Sequence, residues 1–78
     1  MTSRAVLCGC GAMAKGWLRA LQSASRLRDE VEIVGLVDLD PAVAEALAAE
    51  FGLGDARIGT DLASMIEATK ANMVFDVV

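Results

Sequence analysis

The chain contains no histidine and no tyrosine, a single proline and only two cysteines. Cys8 and Cys10 have one residue between them, which makes neither a disulfide framework nor the C-x-x-C spacing of a redox or metal site. No metal site is expected. Basic residues are in deficit: 7 Lys and Arg stand against 11 Asp and Glu, a net charge of −4. That balance argues against a nucleic-acid partner and against a polybasic membrane surface. No apolar run approaches the roughly 18 residues a membrane helix needs. The opening "MTSRAVLCGCG" lacks a signal peptide's long apolar segment and cleavage site. A cytoplasmic protein is expected. What is plentiful is apolar residue, 55% of the 78, much of it alanine, which suits helices packed closely on a sheet. The length allows one small domain over residues 1–78.

Ala5 to Cys8 reads as a short buried strand, apolar without alternation, as parallel-sheet strands are. After a glycine turn, Met13, Ala14, Trp17, Leu18 and Leu21 recur at helical spacing, predicting a helix from Ala12 to about Ser25. "SRLRDE" is a polar connection, with Asp29 and Glu30 in a solvated loop. Val31 to Val37 is a second buried strand. Asp40 then supplies an N-cap with Pro41 at the first helical position, and Gly52 suits the C-cap. "ARIGT" is a weak third strand. Asp61 caps a helix bearing Leu62, Met65, Ile66 and Thr69, with Lys70 near its negative end. Asn72 to Val78 is a fourth apolar strand. Alternation of this kind predicts an α/β fold, β-α-β-α-β-α-β, with a parallel Rossmann-type sheet, right-handed crossovers and strand order 3-2-1-4. The fourth strand is still apolar at Val78, with no closing turn, so an incomplete domain is expected.

Gly9, Gly11 and Ala14 fill the small positions of G-x-G-x-x-G/A, after a strand and opening a helix. Gly9 permits the tight turn, Gly11 lets a backbone approach a pyrophosphate, and Ala14 keeps the helix near the strand. Small residues also stand in such places merely to let a helix dock. Asp38 tips the balance towards dinucleotide binding. It follows the second strand directly, where a carboxylate accepts the hydroxyls of an adenosine ribose. It lies 27 residues after Gly11, longer than the usual ~20, and the long first helix and its connection absorb the difference. A carboxylate there repels a 2′-phosphate, and Leu39 offers no cation to pair with one, so NAD is favoured over NADP. The remaining residues have blander readings. Cys8 is a small buried hydrophobe. Cys10, near a helix N-terminus, sits where a thiol pKa can be lowered. Trp17 is packing. Asp76 is the oddest position, a charge inside an apolar strand, at a sheet edge or facing the crevice.

The stretches "VLCGCGAMAKGWLRAL", "VEIVGLVDLDPAVAEALAAEFGL", "TDLASMIEA" and "MVFDVV" resemble, in order, the amino-terminal cofactor domain of the glucose-fructose oxidoreductase / inositol dehydrogenase (Gfo/Idh/MocA) family. The resemblance implies a dinucleotide partner, with Gly9, Cys10, Gly11, Ala12 and Met13 along the pyrophosphate and Asp38 on the adenosine ribose. It also implies hydride transfer to or from sugars, polyols or related compounds, and places the helix around Leu62 beside the cofactor. By the same resemblance, the catalytic lysine lies in a Glu-Lys-Pro stretch after the fourth strand, and a histidine often assists further on. Neither Lys15 nor Lys70 matches that stretch. No catalytic residue is therefore expected in these 78 residues, and a small-molecule substrate only in a full-length parent.

Two alternatives stay open: a non-enzymatic NAD-sensing module, and a methyltransferase, which shares the glycine turn but usually has a denser glycine loop. A homodimer is expected, because ending at Val78 leaves the fourth strand as an apolar edge able to pair with another chain.

Overall fold

The computed structural model describes residues 3–24 and 29–77. In chain order the elements are β1 (Ser3–Cys8), α1 (Ala12–Ser23), β2 (Val31–Val37), α2 (Pro41–Phe51), β3 (Arg57–Gly59), α3 (Leu62–Thr69) and β4 (Met73–Asp76). The strands form one sheet in the order β3-β2-β1-β4, every pairing parallel. The expected order and class are those observed.

The boundaries differ where pairing, not hydropathy, decides. β1 begins two residues before the apolar run, because Ser3 and Arg4 pair with Val31 and Glu32. A bulge then follows: Ala5 pairs with Ile33 but Val6 with Gly35. β3 shrinks to Arg57–Gly59 and β4 to Met73–Asp76. Asn72, expected within the fourth strand, instead accepts the Arg4 amide on its side chain. The predicted end of the first helix at Ser25, most of the "SRLRDE" connection and Val78 lie outside the described residues. Asp29 and Glu30 are exposed as expected, though with helical rather than irregular backbone.

Helix ends follow their sequence signals. The Asp40 carboxylate accepts from the Ala42 amide with Pro41 at the first position, and Gly52 closes α2 in the left-handed region at φ 68. The Asp61 carboxylate accepts from the Ser64 amide at the start of α3. Lys70 is itself the cap of α3, held left-handed at φ 55, where a residue with a Cβ pays a steric penalty. Arg4 offsets some of this by donating twice to the Thr69 carbonyl, at 3.1 and 2.8 Å.

The sheet is covered on both faces. On one, α1 and α2 bury Ala14, Leu18, Leu21, Ala44, Leu47 and Ala48 against Leu7 and Leu36. Trp17 packs against Phe75 with ring centroids 4.2 Å apart and planes tilted by 47°, closing that layer over β4. On the other face Met65 of α3 packs on Val6, Val34 and Val37. A Cβ on Gly35 lies only 2.6 Å from the Met65 sulfur, so the bare backbone there lets α3 dock. β1 is buried on both faces, with Ala5, Val6 and Leu7 all at zero exposure. That accounts for its unalternating sequence. No helix among the described residues is long and apolar enough to cross a membrane.

Candidate functional site

β1 and β2 carry two turns to the same end of the sheet. β1 runs into Gly9, whose φ of 92 is open to glycine and strained for other residues. Its amide donates to the Val37 carbonyl at 2.8 Å, extending the ladder one step beyond the strand. The chain then turns through Cys10 into Gly11, the N-cap of α1. β2 ends beside it at Val37, placing Asp38 against the turn.

A cleft of about 530 Å³ opens above these ends. Cys8, Gly9 and Gly11 line it from the first turn, Val37, Asp38 and Leu39 from the second. Thr60 and Leu62 close it from the start of α3, and Val77 from the end of β4. Leu62 was expected there; Thr60 and Val77 were not singled out, since neither residue type carries a recognition signal by itself.

Gly11 is the informative glycine. Its φ of −79 and ψ of −160 are open to any residue, and a Cβ built on it has nothing within 4 Å. Neither the backbone nor the packing requires a glycine. Helix α1 also differs from its neighbours: α2 and α3 have aspartate caps, whereas no side chain caps α1. The amides and partial positive charge of an α-helix N-terminus are therefore left for another acceptor. Ala12 and Met13, the first two residues of α1, are exposed, Met13 at 75%.

Asp38 is bound to the glycine turn. Its Oδ2 accepts from the Cys10 amide at 2.8 Å and its Oδ1 from the Asp40 amide at 2.9 Å. These two donors, Asp40 first and Cys10 second, hold the carboxyl below its ordinary pKa. A carboxylate has about four acceptor directions, so these amides leave it capacity to accept from a further donor. Leu39, beside it, is 94% exposed and supplies no charge.

The cysteines need a correction. Cys10 is 1% exposed and faces the core, its thiol 3.6 Å from the Val37 carbonyl. Burial first, then the charge of Asp38 and proximity to Cys8, pushes that thiol up to about 11. The lowering expected from the helix N-terminus does not occur, because the side chain points away from it into the apolar layer. Cys10 is not among the residues that line the cleft. Cys8 is half-buried rather than buried, and burial, followed by Asp76 and Asp38, raises its thiol too. Among the described residues no group of three or more His, Cys, Asp or Glu could hold a metal ion.

No protein-family model matches the chain, and no curated protein matches it. Solved structures do. A myo-inositol dehydrogenase from Lactobacillus casei, in complex with NAD(H) and myo-inositol, superposes with a TM-score of 0.80 at 27% identity. The WlbA dehydrogenase from Chromobacterium violaceum, in complex with NADH and UDP-GlcNAcA, gives 0.76 at 31% identity. The WlbA dehydrogenase from Bordetella pertussis, with the same ligands, gives 0.78 at 26%. These matches cover 99–100% of this chain but only 21–22% of theirs, so the chain spans about a fifth of their length. In its strand order and its superposition from end to end, the chain resembles the NAD-binding dehydrogenases of the Gfo/Idh/MocA type.

Proposed function

We propose that this chain is the nucleotide-binding portion of an oxidoreductase that uses NAD to oxidise or reduce a sugar, polyol or related compound. The observation that carries the reading is Gly11: a residue freed of its side chain where neither backbone nor packing asks for it, at the mouth of a cleft and on an uncapped helix. A diphosphate fits that place, because it needs close backbone approach and accepts from helix N-terminal amides.

The chain's own residues divide the work. Gly9 makes the turn, Gly11 leaves room, and the amides of Ala12 and Met13 donate to the phosphates. Cys10 contributes through its amide, which orients Asp38. Asp38 uses its remaining acceptor capacity on the ribose hydroxyls, and its charge disfavours a 2′-phosphate, so NAD is preferred to NADP. Leu62 and Val77 exclude water from the cleft walls. When bound, the cofactor supplies hydride transfer. Proton transfer and substrate recognition belong to residues outside these 78. A cytoplasmic location and self-association along β4, an outer strand of the sheet, complete the proposal.

The test is Gly11→Val, read by calorimetric titration with NAD. The fold, followed by far-UV circular dichroism, should be retained, because the new side chain enters open space. Affinity should fall by about tenfold or more, the equivalent of about 1.4 kcal/mol. An unchanged affinity overturns the phosphate-turn assignment.

A further inference from the structure

We infer that Asp76 sets the cleft's preference for the oxidised over the reduced form of its dinucleotide, by placing a carboxylate beside the half that receives the redox-active ring. This rests on the nucleotide-binding reading above and assigns a role within it to a residue that reading leaves unused.

Asp76 is the last residue of β4 and the register partner of Cys8 in β1. Paired residues of neighbouring parallel strands point to the same face, so the carboxylate shares the face of Cys8, which lines the cleft. The next residue, Val77, lines it too and donates its amide to the Cys8 carbonyl at 3.0 Å. β4 therefore follows β1 up to the glycine turn and ends at the cleft. Asp76 is exposed in a strand that is otherwise apolar, and its charge is felt by the Cys8 thiol.

The strand order fixes which part of a dinucleotide it meets. Three strand ends meet the cleft side by side: β2 with Asp38, β1 with Gly9 and Gly11, β4 with Val77, the residue after Asp76. In an open α/β sheet the ligand crosses the crevice where the strand order reverses, with its diphosphate over the first turn. With the adenosine ribose on Asp38, the other nucleoside extends over β4. The ring of that nucleoside carries a positive charge when oxidised and none when reduced. Repulsion between Asp76 and the phosphates is common to both forms and cancels in their ratio. The attraction for the cationic ring does not cancel. Asp38 cannot supply this discrimination, since it lies on the other side of β1 and is held there by two amides.

The experiment measures dissociation constants for NAD⁺ and NADH on the natural protein, on Asp76→Asn and on Asp76→Glu. Asp76→Asn should lower the ratio Kd(NADH)/Kd(NAD⁺) on the order of three- to tenfold, while Asp76→Glu keeps it within about twofold. Raising the salt concentration should move the natural protein's ratio in the same direction as Asp76→Asn. If Asp76→Asn does not fold, Asp76→Ser is read in its place. A ratio unmoved by either neutral variant, with both forms still bound, overturns the role of Asp76 and leaves the nucleotide site standing. A ratio independent of salt in the natural protein does the same. Failure of the natural protein to bind either form overturns both.

Discussion

The amide of Cys10 donates to Oδ2 of Asp38 at 2.8 Å, tying the glycine turn after the first strand to the acid after the second. Two pieces of the site that look independent in sequence are thus one hydrogen-bonded unit. Asp38 holds the turn in shape, and in the function proposed above the same carboxylate also discriminates between cofactors.

That dual role shapes what a specificity exchange should do. Asp38→Ser with Leu39→Arg removes the repulsion of a 2′-phosphate and adds a cation for it. The NADP-to-NAD preference, measured as the ratio of Kd values, should rise by about tenfold or more. The same change frees the Cys10 amide, so the summed affinity for both cofactors should fall. Asp38→Asn, which keeps an acceptor oxygen, should lose less. An unchanged ratio in the double variant removes Asp38 from the ribose site.

Acid should act on the same group. The folded-state pKa of Asp38 lies below its ordinary value of 3.8, chiefly through the Asp40 amide and then the Cys10 amide. Asp61 is also lowered, through the Ser64 hydroxyl and amide. A carboxyl whose folded pKa is depressed contributes stability in full above its unfolded value, and loses it as pH falls through the folded one. Both contributions are therefore complete at neutral pH and decline from the ordinary carboxylate range downward. Denaturant midpoints at pH 7 and pH 3 should differ less in Asp38→Asn with Asp61→Asn than in the natural chain. An equal difference argues that these hydrogen bonds do not form in solution.

Gly35 and Met65 form a second coupled pair. A Cβ on Gly35 meets the Met65 sulfur at 2.6 Å and its Cγ at 2.9 Å, and Met65 is confined by Val6, Val34 and Val37. Gly35→Ala should destabilise the chain by about 1–3 kcal/mol, the range for overpacking a core. In a Met65→Ala background the same substitution should cost less, giving a coupling energy in a double-mutant cycle. Additive effects in urea unfolding contradict this packing.

Self-association through β4 is tested by light scattering across a concentration series. The strand lies at the end of the sheet, and Val74 on it is 39% exposed. A parallel-strand edge of this kind is a template for pairing. The mass should approach that of a dimer as concentration rises. A constant monomer mass with a folded spectrum rules the pairing out.

Much of this architecture was legible in the sequence because local signals carry it. Asp40-Pro41, Gly52 and Asp61 mark helix ends by chemistry confined to a few neighbouring residues, and they cap those helices in the structure. The glycine turn was legible for the same reason, since a turn between a strand and a helix is local; of the residues named with it, Gly9, Gly11 and Asp38 line the cleft and Cys10, Ala12 and Met13 do not. What was not legible depends on distant partners. The bulge at Val34 is a property of two strands together. The Cys10 thiol was misjudged because its pKa is set by the apolar layer it faces, not by the helix it precedes. The tie between Cys10 and Asp38 leaves no trace in either residue's neighbourhood along the chain.

The strand order has a consequence for how the molecule assembles. β1, made first, is flanked by β2 on one side and β4 on the other. Arg4 next to its start is pinned to Thr69 and Asn72 near the other end of the chain. The central strand thus waits for residues 73–76 before its second neighbour exists. Contacts of such long sequence separation raise the loop-closure cost that precedes any reward and slow folding relative to a helical bundle of equal size. During synthesis the β1–β2–β3 half can close early, but one edge of β1 stays open until residues 73–76 emerge, and that interval is when the chain is most exposed to mispairing.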